Sequence, residues 1–590
     1  MLRNFFSRRK KTSSYFLGQE IKINRGSSFK NYVHEDDYVF VARRRVAWGI
    51  LGFAAIYIAI CVRLVDLCVV PNLNKEVIVA SVREDEVRAF SGKPIKRADI
   101  VDRNGTIIAT SLPTVNLFAH PNKILDADEA AKKLSRVLPD LRYEDILDKL
   151  KRKSTFIYIK RNLSPSQQYQ INALGIPGLE FENGEKRVYP HKNLFAHIIG
   201  TTNIDNNGIS GIEKELDDRL TQSDIPLELS IDAGVQDTIR EILQKGVKKF
   251  SALGGTVILM DVKTSEIISL VSFPDFDPNL GKKVSDRALF NFATKGVYEP
   301  GSVFKVFNAA MALETGRIKV SDKFDATQPL KLKYNTIKDY RGENRWLSVK
   351  EILVHSSNIG SAQMALKIGK TEQQNFVKNL GFMEALDVEV AEKARPIVPK
   401  RWGEETIATV SYGYGISVTP LHVVTGFSSI MNGGIYTPPS LIKGANKKEE
   451  SRRVISFGTS KSMRSLLRSV VVEGSGKRAN VTGYEVAGKT GTANKLSENG
   501  KYVDKKVMAT FISAFPASNP KYALLVMMDE PKATPETFGF VTSGWNSVPV
   551  AGEIIEAVAP QLNIKANYDL DEKRKSRIIE ATFNRNIEAR

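Results

Sequence analysis

Cysteine is nearly absent from this chain of 590 residues: only Cys61 and Cys68 are present, both in or beside a single apolar run near the N-terminus. A disulfide framework is therefore excluded downstream, and the domains there must be held by their own cores. Histidine is scarce too. His34, His120, His191, His197, His355 and His422 never fall at ligand spacing, so a zinc site is not expected. Negative charge is in deficit, with 85 Lys and Arg against 66 Asp and Glu and a net charge of +19. The excess is dispersed, concentrated only at Arg3, Arg8, Arg9, Lys10 and Lys11. No zinc-finger spacing, aromatic RNA-binding signature or basic heptad helix accompanies it, so a nucleic-acid partner is not expected.

Long hydrophobic runs are also missing, with one exception. VAWGILGFAAIYIAICV, from Val46 to Val62, carries no charge. At about 1.5 Å per residue it spans about 26 Å, near the short limit for a bilayer. Arg43, Arg44 and Arg45 precede it, which predicts a cytoplasmic N-terminus. The leader is too long for a cleaved signal peptide, and no small-x-small site follows. Ile60 and Leu67 occupy the positions where lipid attachment at the following cysteine needs a small residue. The expectation is a cytoplasmic tail over 1–45, one uncleaved transmembrane anchor over 46–70, and a large part outside.

Hydrophobic content of 42% and aromatic content of 8% indicate true cores, and the length exceeds one compact domain. Residues 71–230 alternate short strand-like pieces such as DRNGTIIAT with turns, and include the helix-like ADEAAKKLSRVL, predicting a small mixed α/β domain. From 231 to 565 the pattern changes. GGTVILMDVKTSEIISLVSFP reads as a hairpin turning at Lys263–Glu266, and further strands are predicted at VMATFISAFPA and YALLVMMDEP. Helical patterns fill most of 302–475, and VAGEIIEAVAPQL predicts a last helix. Strands from both ends of a segment with helices between them make an α+β domain, an antiparallel sheet flanked by helices. A charged tail follows over 566–590.

Within this domain KGVYEPGSVFKVFNAAMALETG places Ser302 just after a Pro-Gly break, at the head of an apolar-periodic run. A serine there can simply cap a helix. Lys305, three residues on, shares its helix face and can activate the hydroxyl if its amine loses a proton. Ser-x-x-Lys alone is weak: it recurs at Ser7/Lys10, Ser27/Lys30, Ser440/Lys443 and Ser518/Lys521. Two further pieces give it context. HSSNIG contains Ser356 and Asn358, and AGKTGTA contains Lys489, Thr490, Gly491 and Thr492, the one Lys-Thr-Gly triplet in the chain. Each has a plain structural reading, as a turn or cap and as a kinked strand. The ordered trio is the signature of penicillin-binding proteins and serine β-lactamases.

The residue types suit acyl transfer. Ser302 supplies a nucleophile. Lys305 can serve as base if burial and the nearby Lys489 depress its pKa. Ser356 and Asn358 can relay a proton and orient an amide. Lys489, Thr490 and Thr492 suit a substrate carboxylate, and Gly491 allows close approach to substrate. Backbone N–H groups of Ser302 and Thr492 can form an oxyanion hole.

Beyond the trio, SYGYGISVTPL, RADIVDRNG (with Arg97, Asp102, Asn104 and Gly105), RVYP (with Arg187) and the Gly208…Gly211-Ile212-Glu213 run resemble blocks of the class B penicillin-binding proteins. The similarity extends from the anchor to about residue 565. TTNIDNNGISGIEKELD, and Thr rather than Ser at 490, resemble the septal members more than the elongation members. One departure concerns the turn after RVYP, where Lys192 replaces an expected glycine; it bears on pedestal geometry, not on chemistry. The resemblance implies a pedestal domain and a transpeptidase domain. It implies a peptidoglycan D,D-transpeptidase of the inner membrane that requires no metal or cofactor, with its catalytic domain in the periplasm at the septum. Ser302 would attack the D-Ala–D-Ala bond of a stem peptide, and an amine of a neighbouring stem would resolve the acyl-enzyme. Implied partners are stem peptides, a SEDS-type glycan polymerase and divisome membrane proteins, with β-lactams as covalent inhibitors. An elongation-type transpeptidase and a D,D-carboxypeptidase remain as alternatives. A β-lactamase would lack the pedestal and anchor, a sensor-transducer would need more membrane segments, and a non-enzymatic scaffold would be expected to lose part of the trio.

Overall fold

Turn residues and β-branched runs alternate after residue 96, and the chain there folds into small sheet elements before its long helices begin. A computed structural model describes residues 44–48, 50–58, 60–61, 96–280, 284–445, 447–496 and 502–569. The chain divides into two units, Met1–Lys93 and Pro94–Arg590. In the first, residues 44–48, 50–58 and 60–61 are helical, with Trp48, Phe53 and Tyr57 exposed. Among the described residues no helix is long and apolar enough to cross a membrane. Residues 62–70 of the expected anchor lie outside the described residues, as do most of the N-terminal tail and of the segment after 569.

The second unit opens with a five-stranded sheet. Strand β1 (Ile100–Val101) pairs antiparallel with β2 (Ile107–Ala119), which carries β3 (Ile157–Leu163) and β4 (Leu179–Val188), while β5 (Leu227–Glu228) runs parallel to β1. Helices Ala127–Val137 and Tyr143–Leu150 cover β2 and β3 through Leu134, Ile146, Leu117 and Ile159. Asp126 caps the first of them by accepting from the N–H groups of Asp128 and Glu129, which ends the preceding loop.

The resembling motifs of this part converge on one buried network. Glu213 is fully buried, and each of its carboxylate oxygens meets a guanidinium: Arg97 Nε lies 2.7 Å from Oε2, and Arg187 Nε lies 2.7 Å from Oε1. Arg97 also donates to the Glu213 carbonyl at 2.8 Å and to Asp217 at 2.7 Å. The glycines nearby make this possible, because a Cβ on Gly208 would sit 1.9 Å from the Glu213 carbonyl oxygen. Asp102 accepts from Asn104 and Thr106 to shape the turn at Gly105 (φ +87°), and from Ala233 at the start of the next long helix. Lys192 does adopt a left-handed φ of +53°, so the turn keeps the backbone form expected of glycine at the expense of some strain. Removing one partner of a buried charge cluster leaves the others uncompensated. Glu213→Ala should therefore cost about 3–5 kcal/mol of stability, read from urea unfolding; a change below about 1 kcal/mol would show that water reaches the arginines.

The larger part is built on a second, antiparallel sheet. Its strands are β6 (Gly254–Asp261), β7 (Ile267–Phe273), β8 (Ala487–Leu496), β9 (Tyr502–Phe515) and β10 (Tyr522–Asp529), in the order β8-β9-β10-β6-β7. The hairpin expected around Lys263–Glu266 and both late strands are present. Both faces are covered, so the central strands are apolar throughout. On β10, Ala523, Leu525 and Met527 enter one core while Leu524, Val526 and Met528 enter the other. The second core is closed by helices Ala233–Lys249 and Ser547–Gln561, and the first by helices of the 305–473 segment. The first core continues into Ala98, Ile100, Ile198, Ile212 and Leu229, so the small sheet's root and the larger part share packing. β8 is an edge strand, with one side of its backbone free to meet another element.

Candidate active site

Ser302 does not cap a helix. Residues Gly301–Phe304 form a 3₁₀ turn that passes into the helix Lys305–Glu314, and no side-chain cap bond is made at its start. The tighter winding of a 3₁₀ turn eclipses residues three apart, and Lys305 Nζ lies 2.9 Å from Ser302 Oγ. Gly301 (φ +53°) turns the chain into position, and its N–H donates to the Gly413 carbonyl at 3.2 Å. Gly413 (φ +86°) is in turn required, since a Cβ there would stand 2.2 Å from the Gly301 oxygen.

Lys305 is fully buried and its amine is surrounded by oxygens: the Ser356 carbonyl at 2.6 Å, Ser356 Oγ at 3.1 Å and Asn358 Oδ1 at 2.7 Å. Ser356 adopts φ +58°, a costly conformation for a residue with a side chain, and it turns both of its oxygens toward the lysine. The neighbouring serine has the plain role. Ser357 caps the helix Asn358–Ile368 by accepting from Gly360 N–H. In Ser-Ser-Asn, then, the cap and the candidate relay are adjacent residues.

Lys489 enters from β8, with Nζ 3.0 Å from Ser356 Oγ. One serine hydroxyl therefore stands between two lysines. Burial pushes Lys305 well below the ordinary lysine range, and the nearby Lys489 adds to this against an opposing pull from Asp339. Burial lowers Lys489 to about 7. Burial and the charge of Lys489 both disfavour the charged form of Lys305, whose amine lies within reach of the Ser302 hydroxyl.

Successive strand residues face opposite ways, and β8 uses this. Lys489 reaches Ser356, whereas Thr490 is bonded to Ser475 (2.6 Å between hydroxyls) and Thr492 Oγ1 accepts from Ser543 N–H at 3.1 Å. Thr490 is thus turned away from the Lys489 side of the strand. Gly491 also permits a close approach within the protein. A Cβ there would meet Val303 Cγ2 at 2.7 Å and the Pro300 carbonyl at 2.8 Å, so the strand packs closely on the segment that carries Ser302. The Thr492 carbonyl lies against Gly301, 3.1 Å from where a Cβ would stand. In an antiparallel strand the N–H of a residue points to the same side as its carbonyl, so the Thr492 N–H also faces that open edge.

Sequence reasoning missed Asp339, Ser475 and Ser543. Asp339 caps the Ser-Ser-Asn helix, with Oδ2 accepting from Ser357 Oγ at 2.7 Å and Oδ1 from the N–H groups of Asn358 at 2.5 Å and Ile359 at 3.0 Å. No local signal announces it, because it lies 19 residues before Asn358 in an irregular loop. Arg97, Asp102, Asn104, Gly105, Arg187 and Glu213 are bonded among themselves and to their own surroundings, and none is hydrogen-bonded to the Ser302–Lys305–Ser356 group. Among the described residues no group of His, Cys, Asp and Glu side chains is arranged to hold a metal ion.

Comparison with known proteins identifies both parts of the chain. Residues 255–555 match the penicillin binding protein transpeptidase domain, and residues 93–224 match the penicillin-binding protein dimerisation domain. The chain is 36% identical over 487 residues to the probable peptidoglycan D,D-transpeptidase FtsI of Caulobacter vibrioides, covering 80% of this chain and 82% of that protein. It is 29% identical over 521 residues to the peptidoglycan D,D-transpeptidase FtsI of Escherichia coli, covering 82% and 87%. Among solved structures, penicillin binding protein 3 of Mycobacterium tuberculosis complexed with aztreonam shares the fold, with a TM-score of 0.63 at 22% identity over 80% of this chain and 98% of that one.

Proposed function

The chain belongs to the penicillin-binding transpeptidase family, and from that premise we propose that Ser302 is the nucleophile of a serine-type peptidoglycan D,D-transpeptidase acting at the division septum. The observation that carries the residue assignment is the 2.9 Å approach of a buried lysine amine to the Ser302 hydroxyl. Lys305, held neutral, takes the hydroxyl proton as Ser302 attacks the carbonyl of the penultimate D-Ala. The negative oxygen that forms is met by the N–H groups of Ser302 and Thr492. Collapse breaks the peptide bond. The proton passes through Lys305 and Ser356 to the departing amine of the terminal D-Ala, and Lys489 holds the substrate carboxylate. An acceptor amine then attacks the ester, loses its proton to the same relay and leaves Ser302 free. Asn358 orients the substrate amide, and β-lactams enter the first half of this cycle and stop there.

The finer reading extends to location and partners. We place the boundaries at 46–70 for the anchor, 71–230 for the pedestal and 231–565 for the transpeptidase domain, with a SEDS-type polymerase and divisome membrane proteins as partners. The charge-free run behind Arg43–Arg45 supports a cytoplasmic N-terminus and a periplasmic catalytic domain. A reporter active only outside the cytoplasm should work when fused after Arg590 and be silent when fused before Val46. The reverse pattern would invert the topology.

The septal role is supported by the similarity to the two FtsI transpeptidases named above and by the resemblance of TTNIDNNGISGIEKELD to septal members. Depleting the protein should leave cells that grow without completing septa, and a catalytically dead copy should still gather at mid-cell. Swollen or rounded cells, with the protein spread along the side wall, would instead identify the elongation type. Release of free D-Ala without cross-links would identify a D,D-carboxypeptidase.

A further inference from the structure

Glu299, three residues before the nucleophile, holds a half-buried carboxylate among phenols. Gly415 N–H donates to Oε1 at 2.7 Å, and the Tyr502 hydroxyl lies 3.3 Å from Oε1 and 3.1 Å from Oε2. Among the described residues no lysine, arginine or histidine pairs with it, and burial pushes its carboxyl up from the ordinary range. A carboxylate withdrawn from water without a cation is costly to retain, so its two hydrogen-bonded arms are its evident use.

Those arms join segments that surround Ser302. Residues 298–301 run beside 413–418: Tyr298 and Val418 exchange both backbone bonds at 3.0 Å, and Gly301 N–H reaches Gly413. Glu299 adds the bond to Gly415 and then extends to Tyr502, the first residue of β9. Tyr414 runs parallel to this link. Its ring lies 5.5 Å from that of Tyr502. β8 itself presses against Pro300, Gly301 and Val303. The side chain of Glu299 therefore bridges the nucleophile segment, the 411–415 turn and the hairpin that carries Thr492.

We propose that Glu299 is a positioning residue for acyl transfer, a two-armed tie that holds the β8–β9 hairpin at a set distance from Ser302 and so keeps the Thr492 N–H aligned with the nucleophile. The tie rests on the acyl-transfer reading of Ser302. Its effect falls on the chemical step, because the ground-state complex needs only the cleft and Lys489, whereas the oxyanion needs both N–H groups in register.

Stopped-flow acylation of the full-length protein by a fluorescent penicillin separates the outcomes. Failure of the unaltered protein to acylate would remove the parent reading. If it acylates, Glu299→Ala should lower the acylation rate constant by about 10- to 100-fold with the apparent penicillin affinity unchanged, the loss expected of a misplacement near 1 Å. Glu299→Gln keeps an acceptor for both donors and should restore the rate to within about threefold. Tyr502→Phe, which cuts one arm, should fall between, and it decides the matter should Glu299→Ala fold poorly. Wild-type acylation in both Glu299→Ala and Tyr502→Phe would overturn the proposal. So would a loss confined to affinity, or a Glu299→Gln protein as slow as the alanine variant.

Discussion

Ser302→Ala should acylate with a fluorescent penicillin about six orders of magnitude more slowly than the unaltered protein, which is to say not detectably, since removing the nucleophile of a serine enzyme costs about that much. The fold should not follow the activity. Ser302 sits in a 3₁₀ turn without a capping bond, and among the described residues its side-chain partner is Lys305. Its loss removes no core contact, so the unfolding free energy should change by about 0.5 kcal/mol or less. Gel labelling checks the first statement and thermal unfolding the second. A folded Ser302→Ala protein that still becomes covalently labelled would mean that another hydroxyl is the nucleophile.

The second large effect concerns Lys305. Its replacement by alanine should slow acylation by about 10² to 10⁴-fold, the usual worth of a positioned general base. Arginine should not rescue it, because a guanidinium keeps its proton at any usable pH. The pH profile carries further information. Lys305 is depressed by burial and by Lys489, so acylation should fail on the acid side, where Lys305 acquires a proton. Lys489, lowered to about 7, loses its charge as pH rises through that value. The acylation efficiency of the free enzyme should therefore describe a bell, with its alkaline limb near 7 and belonging to the substrate-carboxylate anchor. In Lys489→Arg the charge persists, so the alkaline limb should move up by more than one pH unit while the acid limb remains. An unchanged alkaline limb would assign that ionisation to another group.

These effects rest on residues that were unequally legible in the chain. The order of Ser302-x-x-Lys305, Ser356-x-Asn358 and Lys489-Thr490-Gly491 could be read directly, because each motif is local and chemically specific. The sheet was legible too, since Gly254–Phe273 alternates around a turn and Tyr522–Asp529 is apolar on both faces. The split roles inside Ser-Ser-Asn were not legible. Ser356 and Ser357 are chemically identical, and only the left-handed backbone at Ser356 sends one to Lys305 while the other caps a helix. The packing of Gly491 against Val303 and Pro300 was not legible either, because those residues lie far from it in sequence. Asp339, Ser475 and Ser543 carry no motif, and they matter only through neighbours distant in sequence.

By itself the sequence determined the reaction class and the candidate side chains, because nucleophile, base and anchor must be of particular chemical types and their spacing along one helix or strand is a local property. The tertiary structure alone decided how firmly each lysine holds its proton. Lys305 and Lys489 meet, both buried, across the Ser356 hydroxyl. Burial and charge–charge distance, which set such a balance, exist only after segments nearly two hundred residues apart have been folded together.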